Sequence, residues 1–210
     1  MPSEYDPLFA SEPPAEGPDD LDRVREQFAA ASRPYLRSPW PWLAWSGLLP
    51  AAALTTSPVG AARGPAAVLL LWSGTILAGG AVEAAAFLRG RRAGDEGRSS
   101  PLARWVLRLQ GNISLVAVVL SLALVWRGEA ALLPGLWLLL LGHSFYSLGG
   151  LALPAFKPYG LLLQAGGLAA LFPGAPAFAI FAATTGLGNL GLAYAVWRAR
   201  RRWRRSSVDG

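Results

Sequence analysis

The sequence predicts an all-α, polytopic membrane protein with six transmembrane helices in a bundle. Three observations predict it: six apolar stretches, short connections rich in glycine and proline, and basic residues gathered at alternate connections. The 210 residues are 53% hydrophobic and 15% charged, a balance that suits lipid as solvent better than water.

Residues 1–19 carry Glu4, Asp6, Glu12, Glu16 and Asp19 among prolines and glycines. They cannot bury enough apolar area to offset the cost of ordering, so a disordered acidic cytoplasmic tail is expected. In residues 20–35 the pattern changes, with Leu21, Val24, Phe28, Ala31 and Tyr35 recurring at helical spacing between charged residues. Asp19 or Asp20 can cap this helix and Pro34 limits it. It is expected to lie in the cytoplasmic membrane interface, or to pack on a cytoplasmic loop or partner. Pro39-Trp40-Pro41-Trp42 then places two indoles where the chain enters the membrane.

The transmembrane domain spans residues 36–197, with helices expected at 41–59, 65–88, 106–126, 132–153, 159–172 and 177–197. Crossing the hydrocarbon core takes about 20 residues, which four of the six reach. The first contains Pro41 and Pro50, which should bend its outer half. The fifth is short and must stand upright, thin the bilayer or lie behind its neighbours, which makes a five-span chain the main competitor. Phe172-Pro173-Gly174-Ala175-Pro176 is nonetheless a strong turn, since two prolines and a glycine cannot continue a helix.

Orientation follows from the basic residues beside the spans. Of the 19 Lys and Arg, all but Arg63 and Arg127 fall on one side of a six-span arrangement. They cluster before the first span, between spans two and three, at Lys157, and in the Arg-rich tail of residues 198–210. Both termini are therefore expected in the cytoplasm, and removing one span would break the asymmetry. The high arginine, alanine, glycine and proline content has the bias of a GC-rich bacterial genome, so the expected location is a bacterial inner membrane.

The formal charge of +6 would suggest nucleic acid in a soluble protein, but these arginines sit at span ends. Nucleic acid is not expected as a partner; anionic lipid of the cytoplasmic leaflet is. Arg198, Arg200, Arg201, Arg202, Arg204 and Arg205, between Trp197 and Trp203 and beyond, combine interfacial indoles with cations worth about 1 kcal/mol each near an acidic leaflet. Other membrane proteins are further candidate partners. The chain has no cysteine, which removes disulfides, thiolate metal sites, iron–sulfur clusters and cysteine nucleophiles. The first 20 residues have no basic start and apolar core, so no secretory signal is read there.

Polar residues inside spans should face other helices or water. Glu83, Asn112, His143, Gln164 and Asn189 fall one each in spans two to six. At a rise of about 1.5 Å per residue from the nearest Lys or Arg, all but His143 lie roughly 6 to 14 Å inside the inner boundary. His143 sits near mid-span. Small or polar neighbours one turn away support inward placement: Gly79 and Gly80 beside Glu83, and Tyr146, Ser147 and Gly150 on the face of His143. Asn112, Gln164, Asn189 and Tyr146 are read as buried polar packing. Glu83 and His143 are the candidate proton or cation site, because an ionised carboxylate at this depth must be wet, paired or protonated. Arg89 is the partner in reach for Glu83.

No motif names a reaction. Gly186-Leu187-Gly188-Asn189-Leu190-Gly191 has the spacing of a dinucleotide loop but no room for the following βαβ unit, so it reads as helix packing. Ser144 beside His143 lacks the second glycine of a nucleophile elbow, and adjacent helical side chains point apart. One histidine cannot supply paired haem ligands, and neither cofactor nor metal is expected. Leu71-Trp72 and Leu136-Trp137 begin comparable parts of spans two and four, without further matching spacing. The first functional reading is a non-enzymatic accessory, scaffold or regulatory component. The alternative is a small proton- or cation-linked transporter or channel using Glu83 and His143; the third is a membrane enzyme acting on lipid substrates.

Overall fold

The computed structural model describes residues 38–92, 101–149 and 154–206. The expected tail 1–19 and interfacial helix 20–35 lie outside the described residues. Within them the chain is all-helical: α1 (Trp40–Arg63), α2 (Pro65–Arg92), α3 (Pro101–Trp126), a 3-10 turn (Ala130–Leu132), α4 (Leu133–Leu148), α5 (Phe156–Leu171) and α6 (Ala177–Ser206). There are six α-helices and no strand among the described residues. Each predicted span falls within or largely overlaps one of these helices.

Among the described residues, three segments are long and apolar enough to cross a membrane: Pro65–Ala86, Ala130–Leu148 and Ala177–Arg201. Two other helices fall short for different reasons. α1 has 24 residues, but its tryptophans, prolines and hydroxyl residues hold its hydropathy down. α5 has 16 residues, and the described apolar part of α3 is Gly111–Trp126.

Proline begins or interrupts the helices where the physics allows. Pro41 and Pro134 stand in the first turns of α1 and α4, where a missing N–H costs nothing. Pro50 and Pro58 lie inside α1, which nevertheless continues to Arg63. Pro50 removes the donor for the Ser46 carbonyl, and Gly186 of α6 sits against it: a Cβ there would stand 3.1 Å from Pro50 Cγ and 3.6 Å from the Ser46 oxygen. The absent side chain lets α6 cover an acceptor that lipid could not satisfy.

Gly64, Gly128 and Gly174 are the described residues with positive φ, at 79°, 80° and 77°. Each ends the first helix of a hairpin, or stands in the turn after it, in a conformation that glycine adopts without strain. The three turns share one side of the bundle. There Leu54 and Ser57 of α1, Ala131 of the 3-10 turn, and Ala175 and Phe178 at the start of α6 line an open cavity of about 400 Å³. At the opposite side Trp42, Phe145, Phe156 and Tyr159 form an aromatic cluster with centroids 4.8 to 6.0 Å apart.

In packing order the helices run α2, α1, α6, α5, α4, α3, with α4 also touching α6. The core therefore lies among α1, α4, α5 and α6, where Ala53, Leu138, Leu163, Phe181 and Leu192 are buried together. α2 and α3 are the edges. The closest association is α4 with α5, and glycines make it possible. Gly135 and Gly142 on α4 face Gly167 and Gly160 on α5 in antiparallel register, seven residues apart on each helix. A Cβ on Gly142 would stand 2.8 Å from the Gly160 carbonyl oxygen and from the backbone nitrogen of Gln164. Small residues that admit a neighbouring backbone are the main packing device where lipid removes the hydrophobic contrast.

Candidate functional site

Side chains of different helices are joined by hydrogen bonds at Trp72–Thr56, Trp137–Ser121, Trp45–Glu83 and Tyr159–Asn189. In the first hairpin the Trp72 indole of α2 donates to Thr56 Oγ1 of α1 at 3.0 Å. The Thr56 hydroxyl in turn donates to the Ala52 carbonyl at 2.7 Å. In the second hairpin Trp137 of α4 donates to Ser121 Oγ of α3 at 3.0 Å, and Ser121 donates to the Ala117 carbonyl at 2.7 Å. In both cases the indole follows the hydroxyl by 16 residues, across a turn that holds a positive-φ glycine. The hydroxyl spends its proton on its own helix and its lone pair on the neighbour, so neither group is left bare in an apolar medium.

The third bond holds Glu83. Trp45 Nε1 of α1 donates to Glu83 Oε1 of α2 at 2.7 Å, within the ordinary range of a hydrogen bond. The six-membered ring of the indole lies against Gly79, one turn before Glu83, where a Cβ would overlap it. Glu83 is exposed on an edge helix, and its partner among the described residues is this indole rather than the expected Arg89.

The fourth bond lies in the core of the last hairpin. Tyr159 OH of α5 is 3.3 Å from Asn189 Oδ1 of α6, to which it donates, and Asn189 Nδ2 donates to the Thr185 carbonyl at 2.8 Å. Asn189 is only 3% exposed, and Thr185 returns its own proton to the Phe181 carbonyl at 2.7 Å. Tyr159 packs on the face of Gly188, while Gly186 meets Pro50. Two of the glycines in the dinucleotide-like spacing are thus contact surfaces for neighbouring helices.

The remaining expected site residues are dispersed. Gln164 is half-buried beside Gly142. His143 and Tyr146 are exposed on α4, with Ser147 on the same outward face, while Leu138, Gly142 and Ser144 turn inward. Asn112 is exposed on α3. Glu83 and His143 are not brought together: α2 packs chiefly on α1, whereas α4 packs on α5, α3 and α6. Neither residue lines the cavity on the turn side. Among the described residues no cluster of His, Cys, Asp or Glu could hold a metal ion.

The arginine segment continues α6 as helix to Ser206. Arg201 lies over the Trp197 ring, 3.7 Å from its centroid, and Trp197 stacks at a tilt against Tyr194 5.9 Å away. A cation on an aromatic face keeps its N–H groups directed outward and available for acceptors such as phosphate.

Sequence reasoning missed Trp45, Thr56, Trp72, Ser121, Trp137 and Tyr159 as members of these pairs. The one available signal was the repeated Leu-Trp dipeptide, whose match lies not beside it but 16 residues upstream, at a hydroxyl on the preceding helix. No protein-family model, curated protein or solved structure matches the chain.

Proposed function

We propose that this chain is a six-span protein of a bacterial inner membrane, with both termini cytoplasmic, that works without catalysis as a scaffold or accessory component. The observation that carries the reading is the pairwise use of its intramembrane polar groups. Trp45–Glu83, Trp72–Thr56, Trp137–Ser121 and Tyr159–Asn189 tie helices together at four separate places. A proton or cation path needs such groups to converge on a wet cavity. Here the carboxylate sits at one edge of the bundle and the histidine on an outward face elsewhere.

The topology rests on charge and on the turns. Arg63 and Arg127 precede the positive-φ glycines of the first two hairpin turns, while in a six-span arrangement the other basic residues would fall on the opposite side. That imbalance supports cytoplasmic termini. On that side the Arg198, Arg200 and Arg201 run, continuing to Arg202, Arg204 and Arg205, is the proposed contact for anionic headgroups.

Reconstitution into proteoliposomes tests the functional reading. With an internal pH-sensitive dye and imposed proton, sodium or potassium gradients, the expected result is no protein-dependent flux. A flux abolished by Glu83→Gln or His143→Gln would overturn the scaffold reading in favour of transport. Since the native chain has no cysteine, single cysteines at Arg63 and Ser206 test the topology: an impermeant thiol reagent should label the first from outside the cell and the second only after lysis.

A further inference from the structure

α3 has two faces of opposite character. Ile113, Ala117, Ser121 and Leu124, spaced by four, four and three residues, are the buried or half-buried positions that face α4. Almost directly opposite, Asn112, Leu115, Val119, Leu122 and Trp126 recur at spacings of three, four, three and four. The last four are 61, 56, 67 and 92% exposed. This alternation has the 3.5-residue period of a coiled-coil seam, with asparagine at one core position.

Apolar side chains on that stripe would be content in lipid; Asn112 would not. Its amide has two donor hydrogens and an acceptor oxygen, it is exposed, and it has no hydrogen-bonding partner among the described residues. It stands four residues, about 6 Å of helical rise, from Arg108 and within the apolar stretch Gly111–Trp126, where an unpaired amide is costly.

We propose that α3 is the dimerisation helix of this protein, and that Asn112 pairs with Asn112 of the partner subunit across a two-fold axis normal to the membrane. The occupant is a second copy for three reasons. Copies inserted by the same charge rule share one orientation, so their Asn112 amides meet at one depth. An amide is self-complementary: each can donate to the other's oxygen, the reciprocity of an isologous interface. A 3.5-residue stripe against its own parallel copy also closes as a left-handed pair without requiring a new shape. Arg108 continues the stripe at the membrane boundary, where its long stem lets the guanidinium reach headgroups instead of its counterpart. This inference does not rest on the scaffold reading, since a transporter could dimerise through the same face.

The test uses the full chain in bilayers. Subunits are counted by single-molecule photobleaching as protein is diluted in lipid, and single cysteines are oxidised in the otherwise cysteine-free chain. Val119→Cys should give a disulfide-linked dimer, while Leu77→Cys, equally apolar and exposed on the opposite edge helix, should stay at background. Asn112→Leu should weaken dimerisation about 3- to 30-fold, the range of interhelical amide bonds in lipid, and Asn112→Gln should retain most of it. Single copies at every dilution would overturn the proposal. So would crosslinking at Leu77→Cys instead of Val119→Cys, or an unchanged dimer fraction in Asn112→Leu. The crosslinks leave Asn112 native, so they decide the matter even if that variant does not fold.

Discussion

Gly142→Ala should destabilise the bundle although alanine is the better helix former. The added Cβ would stand 2.8 Å from Gln164 Cγ, the Gln164 nitrogen and the Gly160 oxygen, against the 3.4 Å at which ordinary contact begins. The shortfall is about 0.6 Å, and two of the three neighbours are backbone atoms that cannot turn aside. α4 and α5 must separate. A gap of this size forfeits roughly a quarter to a half of each contact well of about 0.1 to 0.2 kcal/mol. Over roughly 40 atom pairs along the glycine-lined face the loss is about 2 kcal/mol, inside the usual range for overpacking. Gly74 on α2 is the control, because a Cβ there meets nothing within 4 Å. Gly74→Ala should be neutral or stabilising by up to about 1 kcal/mol. Reversible unfolding by SDS in mixed micelles, followed by tryptophan fluorescence, measures both. Adding Gly160→Ala to Gly142→Ala should cost less than the sum of the single changes, since the first Cβ has already opened the same interface. A Gly142→Ala protein as stable as wild type would refute the close approach of α4 and α5.

Thr56→Val and Ser121→Ala should each cost about 1 kcal/mol by stranding the Trp72 and Trp137 indoles, and the double variant should be additive because the two bonds lie in separate hairpins; the same unfolding titration reads all three. Tyr159→Phe should lose a similar amount, while Asn189→Leu should lose more, because it strands the buried Tyr159 hydroxyl and overfills the space beside Gly188. Trp45→Phe should alter the infrared carboxyl band assigned through Glu83→Gln, as the carboxylate loses its indole donor; an unchanged band would exclude that bond. Replacing Arg198, Arg200 and Arg201 by glutamine should reduce the number of anionic lipids retained in native mass spectrometry, each cation contributing about 1 kcal/mol.

The helices were legible in the sequence because span length, proline and glycine act locally. The turn at Phe172–Pro176 and the short α5 followed directly from residues that cannot extend a helix, and α1 begins within a residue of its expected start. Pro50 and Pro58 lie within α1, which runs on as helix to Arg63. What sequence alone could not supply was Gly186, 136 positions away, covering the carbonyl that Pro50 leaves open.

Side-chain direction was harder to read, and α4 shows the cause. Two rules compete on that helix: polar groups turn away from lipid, and small residues turn toward the nearest helix. Gly135, Gly142 and Gly149 recur every seven residues, and all three meet the backbone of α5, at Gly167, at Gly160 and Gln164, and at Lys157. His143 stands about 100° around the helix from Gly142 and Tyr146 about 40°, so a glycine-centred interface leaves the imidazole outside and the phenol at its margin. Close backbone approach wins because it commits the whole length of α4, whereas sheltering one imidazole or phenol gains a single hydrogen bond. The same competition explains why Asn189 is buried and Asn112 is not. Asn189 lies next to Gly188, on which Tyr159 rests, so the small residue and the polar one call for the same neighbour. On α3 the Cβ position of Gly111 meets nothing within 4 Å, and with no helix drawn to that glycine the adjacent asparagine is left facing outward.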